Sequence, residues 1–221
     1  MPARGDKLNG RVRKAKTIRK SRSRPQADRR GLSGGSKFDR SRVEQGVRLI
    51  LDGIGENASR SGLRETPRRV SDFYEEILSG MWEDAAVHLQ PISTGYDHDL
   101  VVVKNIRFTS ICEHHLLPFI GTVGVAYVPK GGRIVGISKI VRAVDAISRR
   151  LQIQERMTSE IADVVARELK PAGVFVLVEA EHLCMTVRGV RKPGALILTT
   201  EGRGILKRPE RQAFVVSSLS R

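Results

Sequence analysis

Hydrophobic positions along the chain follow two kinds of spacing, and the change between them divides it. Val43, Val47, Ile50 and Leu51 recur at helical intervals, one stripe of a helix that Gly53 should stop. Thr66-Pro67 reads as an N-cap followed by proline at the first helical position. Val70, Phe73, Tyr74, Ile77 and Leu78 then form a second stripe, ended by Gly80. Residues 81–98 lack a period and read as a connecting loop. Beyond them, β-branched runs at 100–108 and 122–128 predict strands, and Pro129-Lys130-Gly131-Gly132 predicts a turn. Two helical stripes follow. One runs from Ser138 to about Leu151 with Ile140, Val141, Val144, Ile147 and Leu151 inward. The other runs from about Gln154 to Leu169 with Ile161, Val164, Val165 and Leu169 inward, closed by Pro171 and Gly173. Residues 174–179, 185–190 and 196–200 are again strand-like. Strand pair, helix pair, strand pair predicts an α+β domain: an antiparallel four-stranded sheet with two helices on one face, preceded by an N-terminal helical region. No internal repeat is found.

Composition narrows the class. The chain has 221 residues, 40% of them hydrophobic, enough to bury a sizeable core. No apolar run approaches the ~18 residues of a membrane span, and the N-terminus lacks the apolar stretch of a secretory signal. Two cysteines cannot build a disulfide framework or a four-cysteine zinc site. These features predict a soluble, cytoplasmic protein. The net charge of +15 invites a nucleic-acid reading, but residues 1–42 hold fifteen Lys+Arg against three Asp+Glu, leaving only +3 for the rest. Residues 1–38 read as a disordered basic tail, 39–80 as the helical region and 81–221 as the α+β domain. The tail is a solvated extension, a nucleic-acid arm or an Arg-rich transit peptide; without interleaved aromatics, specific single-strand binding is disfavoured. Nucleic acid is expected as a partner only through this tail.

The densest chemistry is Cys112-Glu113-His114-His115 after the first predicted strand. Cys112 and His115, three apart on a turn, have the spacing to grip one zinc ion. The other cysteine, Cys184, lies two residues after His182, and in an extended segment both would face the same way. Cys112, His115 and Cys184 make three ligands and leave a fourth tetrahedral position for water, the mark of a catalytic rather than structural zinc. His114 and His182 remain for proton transfer. Two buried thiols with capping histidines, or a closed site with His182 as fourth ligand, are the alternatives. His88 and His98, in a polar loop, read as surface residues.

A second constellation suits an anion. Gly136-Ile137-Ser138-Lys139 stands where a turn hands over to a helix, whose N-terminus offers free N–H groups and a positive dipole end. Arg142 lies one turn on, Arg188 falls on the face of Cys184 by strand parity, and Arg191 and Arg69 are further candidates. Ordinary capping by Ser138 with solvated cations is the alternative. Glu155, after Gln154, could accept paired hydrogen bonds from an N–H/NH2 edge such as guanine's, or simply favour a first helical turn.

Together, the runs 110–119, 136–140, 151–156 and 181–185, with Arg188-Gly189-Val190-Arg191-Lys192-Pro193-Gly194, resemble GTP cyclohydrolase I of the bacterial type, over about residues 40 to 215. The resemblance implies a zinc-dependent, homodecameric enzyme of the tunnelling fold. It would convert GTP to 7,8-dihydroneopterin triphosphate and formate, the first step of tetrahydrofolate and pterin biosynthesis. It puts one zinc per subunit on Cys112, His115 and Cys184, and proton transfers on His182, His114 and Ser138. Glu155, with Gln154 beside it, would hold the guanine edge. Lys139, Arg142, Arg188 and a neighbouring subunit's Arg69 would bind the triphosphate. A related tunnelling-fold enzyme acting on another purine or pterin is the alternative. The chain departs from the family at Asp72, where some members carry Lys, and at Ala195-Leu196-Ile197-Leu198, where a Ser/Thr-rich run is usual. Glu201-Gly202-Arg203-Gly204 is less familiar too.

Overall fold

The structure is a computed structural model that describes residues 38–96 and 98–219. The basic tail expected at the N-terminus lies outside these residues apart from Phe38. The first helix, α1 (Arg40–Gly53), is capped by Asp39, whose carboxylate accepts the Arg42 N–H at 3.0 Å. The second, α2 (Thr66–Ile77), takes in Thr66, so Glu65 holds the N-cap position and makes no side-chain cap bond. Pro67 still sits in the first turn, where its missing N–H leaves no bond unmade. The two helices pack together and are tied at the surface by Arg40 to Asp72 and Glu75.

The segment expected as a loop is partly ordered into 3-10 turns at Ser79–Trp82 and Ala85–His88 and a short strand, β1 (Ile92–Ser93). Gly80 does more than end a helix. A Cβ there would stand 2.2 Å from the Ala146 carbonyl oxygen, and Arg150 Nε donates to the Gly80 carbonyl at 2.8 Å. Only glycine allows this approach.

The sheet is built from β2 (Val101–Cys112) and β3 (Pro118–Val128), then, after β4 (Arg133–Ile134), α3 (Ile137–Ser148), β5 (Leu151–Gln152), α4 (Gln154–Leu169) and β6 (Gly173–His182). A helical turn, α5 (Leu183–Thr186), precedes β7 (Leu196–Gly204) and α6 (Pro209–Leu219). Strand order is β5-β2-β3-β6-β7. The four long strands are antiparallel, and two-residue β5 adds a parallel edge along β2. Alternation along the strands sorts their side chains. Val174, Val176, Val178 and Ala180 join Val123, Val125 and Tyr127 beneath α3 and α4. Phe175, Leu177 and Ala126 face the other way, against Leu206, Val215 and Leu219. This is the α+β tunnelling-fold architecture, two helices on one face, with α6 partly covering the other.

One expected strand is absent: residues 185–190 are not extended. The β-branched Thr186, Val187 and Val190 suggested it, but residues 183–186 form a helical turn. Gly189, Arg191 and Gly194 adopt positive φ and break the chain direction before β7. Conversely, β2 and β3 run further than expected, to Cys112 and from Pro118, and that extra length carries the site. Among the described residues, no helix is long and apolar enough to cross a membrane.

Candidate metal centre

Strand register assembles the site. Between β2 and β3 the chain turns through residues 113–117. The Cys112 carbonyl accepts the Leu116 N–H at 2.9 Å, and the Cys112 N–H donates to Leu117 at the same distance. Leu116 pays for this tight turn with a positive φ of 54°. Pairing of β3 with β6 sets Phe119 opposite His182, so β6 ends beside the turn. The helical turn of α5 then delivers Cys184. Parity along an extended strand is therefore not what brings Cys184 in; a helical turn does it. Donor atoms of Cys112, His115 and Cys184 all lie within 4.8 Å of one another.

These donors fit zinc. Two sulfurs and an imidazole nitrogen around a tetrahedral ion would stand roughly 3.5–3.8 Å apart, so the group needs only a slight closing. Burial and the neighbouring Cys112 thiol push the Cys184 thiol above its ordinary range, while Arg188 opposes them. Two adjacent thiols resist forming two thiolates unless a cation joins them. Arg188 also donates to His115 Nε2 at 2.7 Å. His182 does not belong to the group: its Nε2 bonds Gln154 Oε1 at 2.8 Å, and its ring stacks on Phe119 with centroids 4.6 Å apart. Burial lowers the His182 pKa, and the charge of Glu155 partly restores it.

The remaining candidates are placed unevenly. His114 is exposed, with Nδ1 4.0 Å from Cys112 Sγ. Pairing of β5 with β2 sets Gln152 beside Cys112 and brings the start of α4 to the turn. Glu155 there is exposed. Gln154, expected at a ligand's edge, is instead 1% exposed, with its amide committed to protein groups. Its route to the site is through His182. Gly136 takes the N-cap position of α3, so Ser138 and Lys139 lie exposed in the first turn and the Ser138 hydroxyl caps nothing. Arg142 lines a separate hollow with Glu83, His88, Asp145 and Arg149. Arg69 is exposed on α2. Neither arginine makes a hydrogen bond or ion pair to the Cys112–His115–Cys184 group. Asp72 is engaged by Arg40 and Arg68. His88 and His98, expected at the surface, are half-buried: His88 pairs with Glu83, and His98 Nε2 is buried without a partner among the described residues.

Sequence reasoning missed the supports. Arg156 reaches the Glu113 carboxylate, the Gln152 side chain and the Leu151 carbonyl, clamping the turn to α4. Thr158 and Thr199 hold Gln154. A signal existed for Thr158: it is a polar residue one turn after Gln154, on the stripe of Ile161 and Val165.

Comparison with known proteins gives one consistent answer. The family model described as GTP cyclohydrolase I matches residues 43–220. "GTP cyclohydrolase 1" of Pelotomaculum thermopropionicum is 52% identical over 171 residues, covering 77% of this chain and 91% of that protein. The Bacillus subtilis protein of the same name is 52% identical over 171 residues, covering 77% and 90%. That of Listeria monocytogenes is 47% identical over 183 residues, covering 83% and 97%. Among solved structures, the archaeosine synthase QueF-Like in the apo form aligns with 49% of this chain and 97% of its own at 18% identity. The TM-score of 0.39 is too low to bear on fold or function. Matched over most of its length and close to half identical to these relatives, the chain belongs to the GTP cyclohydrolase I family and is an enzyme of that type.

Proposed function

We propose that the enzyme opens the imidazole ring of GTP hydrolytically, releases formate and recloses the product as 7,8-dihydroneopterin triphosphate. The observation that carries this reading is the convergence of Cys112, His115 and Cys184 beside a histidine that is held off the group. Those three residues would hold one zinc per subunit. Zinc bound there supplies a Lewis acid that makes water a nucleophile near neutral pH. His182 holds the proton for guanine N7, and His114 and Ser138 serve proton transfers near the ribose. Glu155, exposed and with no side-chain hydrogen bond among the described residues, accepts the guanine N–H/NH2 edge. Lys139 and Arg188 meet the triphosphate from this chain. Arg142 and a neighbouring subunit's Arg69 complete its binding within a homodecamer whose sites lie between subunits. The cytoplasm is the expected location.

The test is formate release from GTP by the zinc-loaded protein, followed together with pterin absorbance, with and without chelator. Both products, both lost on chelation, are expected. Formate alone would mean that ring closure fails. Neither product from zinc-loaded protein would overturn the reading in favour of another purine or pterin substrate.

A further inference from the structure

The environment of Gln154 determines which way its amide points. Nε2 lies 3.1 Å from the Val178 carbonyl oxygen, 2.9 Å from that of Ile197 and 3.1 Å from Thr199 Oγ1. Two amide protons are shared among three acceptors, two of which can only accept. Turned over, the amide would press Oε1 against two carbonyl oxygens in a site where Gln154 is 1% exposed. The hydroxyls agree with the first orientation. Thr158 donates to the Gln154 main-chain carbonyl at 2.7 Å, so the 2.7 Å contact between the two threonines is donated by Thr199. That leaves Thr199 a lone pair for the amide. Oε1 therefore faces His182 as an acceptor, and the ring nitrogen 2.8 Å away, Nε2, must carry hydrogen. Stacking on Phe119, with planes 4° apart, holds the ring flat in that position. Nδ1 has no partner among the described residues.

We propose that Gln154 is a positioning residue that fixes His182 as the Nε2–H tautomer and leaves Nδ1 as the nitrogen that exchanges a proton with substrate. This deepens the role given to His182 above and rests on that reading. A core amide, two threonines and two strand carbonyls thus select the working face of an imidazole that none of them shares with the ligand.

The test is a long-range 1H–15N correlation spectrum of the zinc-loaded full chain with 15N-labelled histidine, near pH 8. An ordinary imidazole, with its pKa of about 6.5, is neutral there. The His182 signals are identified by their loss in His182→Ala. The expected wild-type pattern is hydrogen on Nε2 and a bare Nδ1. In Gln154→Met the tautomers should mix, and kcat should fall by about 10- to 100-fold, the usual effect of removing an orienting partner, with KM little changed. Hydrogen on Nδ1 in the wild type would overturn the proposal, as would a folded Gln154→Met with an unaltered tautomer, whatever its rate. The wild-type spectrum decides even if Gln154→Met does not fold. It is recorded without substrate, so a wild type inactive on GTP counts against the ring-opening reading and leaves the tautomer result standing.

Discussion

The helices α1 and α2 and the helices α3 and α4 are announced by the same apolar spacing, yet they end in different surroundings. α3 and α4 lie on the sheet, and their stripes close a continuous core with β2, β3 and β6. In α1 only Leu51 is buried, while Ile50, in the same stripe, is 64% exposed; in α2, Phe73 remains exposed and Pro67 and Ser71 are the buried residues. Periodicity states which face of a helix is apolar but not whether anything covers it. The Asp39 cap acts within α1 and the Arg68–Asp72 pair within α2, and the two helices are tied at the surface by the exposed ion pairs of Arg40, which contribute little. The decamer proposed above is the setting in which the uncovered stripe would find a partner.

The contrast can be sharpened by substitution. The largest effect is expected at the site carried by the sheet: Cys184→Ser should lose zinc and formate release together, by more than the ~100-fold upper range for an orienting partner. Metal content and activity are measured on the same sample, and retained zinc with lost activity would count against the ligand assignment. Next is the covered helix pair. Ile161→Ala, at a position 1% exposed, should cost about 2–5 kcal/mol in denaturant unfolding. Asp39→Ala removes the cap of α1 and should cost about 1 kcal/mol, read in the same way.

A smaller effect is expected from Glu181. The Gly194 N–H and then the Thr186 hydroxyl hold its carboxyl below the ordinary 4.5, against a weaker opposing effect of burial. A depressed carboxylate contributes stability above its unfolded value and loses it as pH falls through the folded one. The difference in unfolding midpoint between wild type and Glu181→Ala should therefore hold at neutral pH and shrink as pH falls below that ordinary value. A constant difference across that range would show that the carboxylate charge is not what pins the 187–195 loop. The smallest effect is expected at the uncovered stripe, where Ile50→Ser should change subunit stability by no more than about 0.5 kcal/mol. Its effect on an oligomer in sedimentation is a separate readout, and dissociation there would place α1 at an interface, as the proposed decamer expects.

Much of the architecture was legible because it rests on local periods. The stripe of Ile161, Val164, Val165 and Leu169 placed α4 at its observed bounds. The runs before Cys112 and up to Val128 placed β2 and β3. What misled was composition without context: Thr186, Val187 and Val190 favour a strand, but Gly189, Arg191 and Gly194 turn the backbone away from one. Thr66 looked like a cap because proline followed it, yet the helix begins one residue earlier.

By itself the sequence determined the chemistry at hand: two cysteines, the His114-His115 pair and His182, cations near a helix start, and an acid after Gln154. It also determined α1 to α4, because a 3.6-residue period is a property of the chain alone, whereas α5 and α6 were not read from it. Only the tertiary structure decided which of these groups meet. Pairing Phe119 with His182 and Cys112 with Gln152 is a long-range choice of register, and it gathers three donors. It also made Gln154 a core residue, since an amide's partners are set by the strands that close over it. Spacing along a chain fixes what neighbours can do; distances between strands fix which neighbours exist.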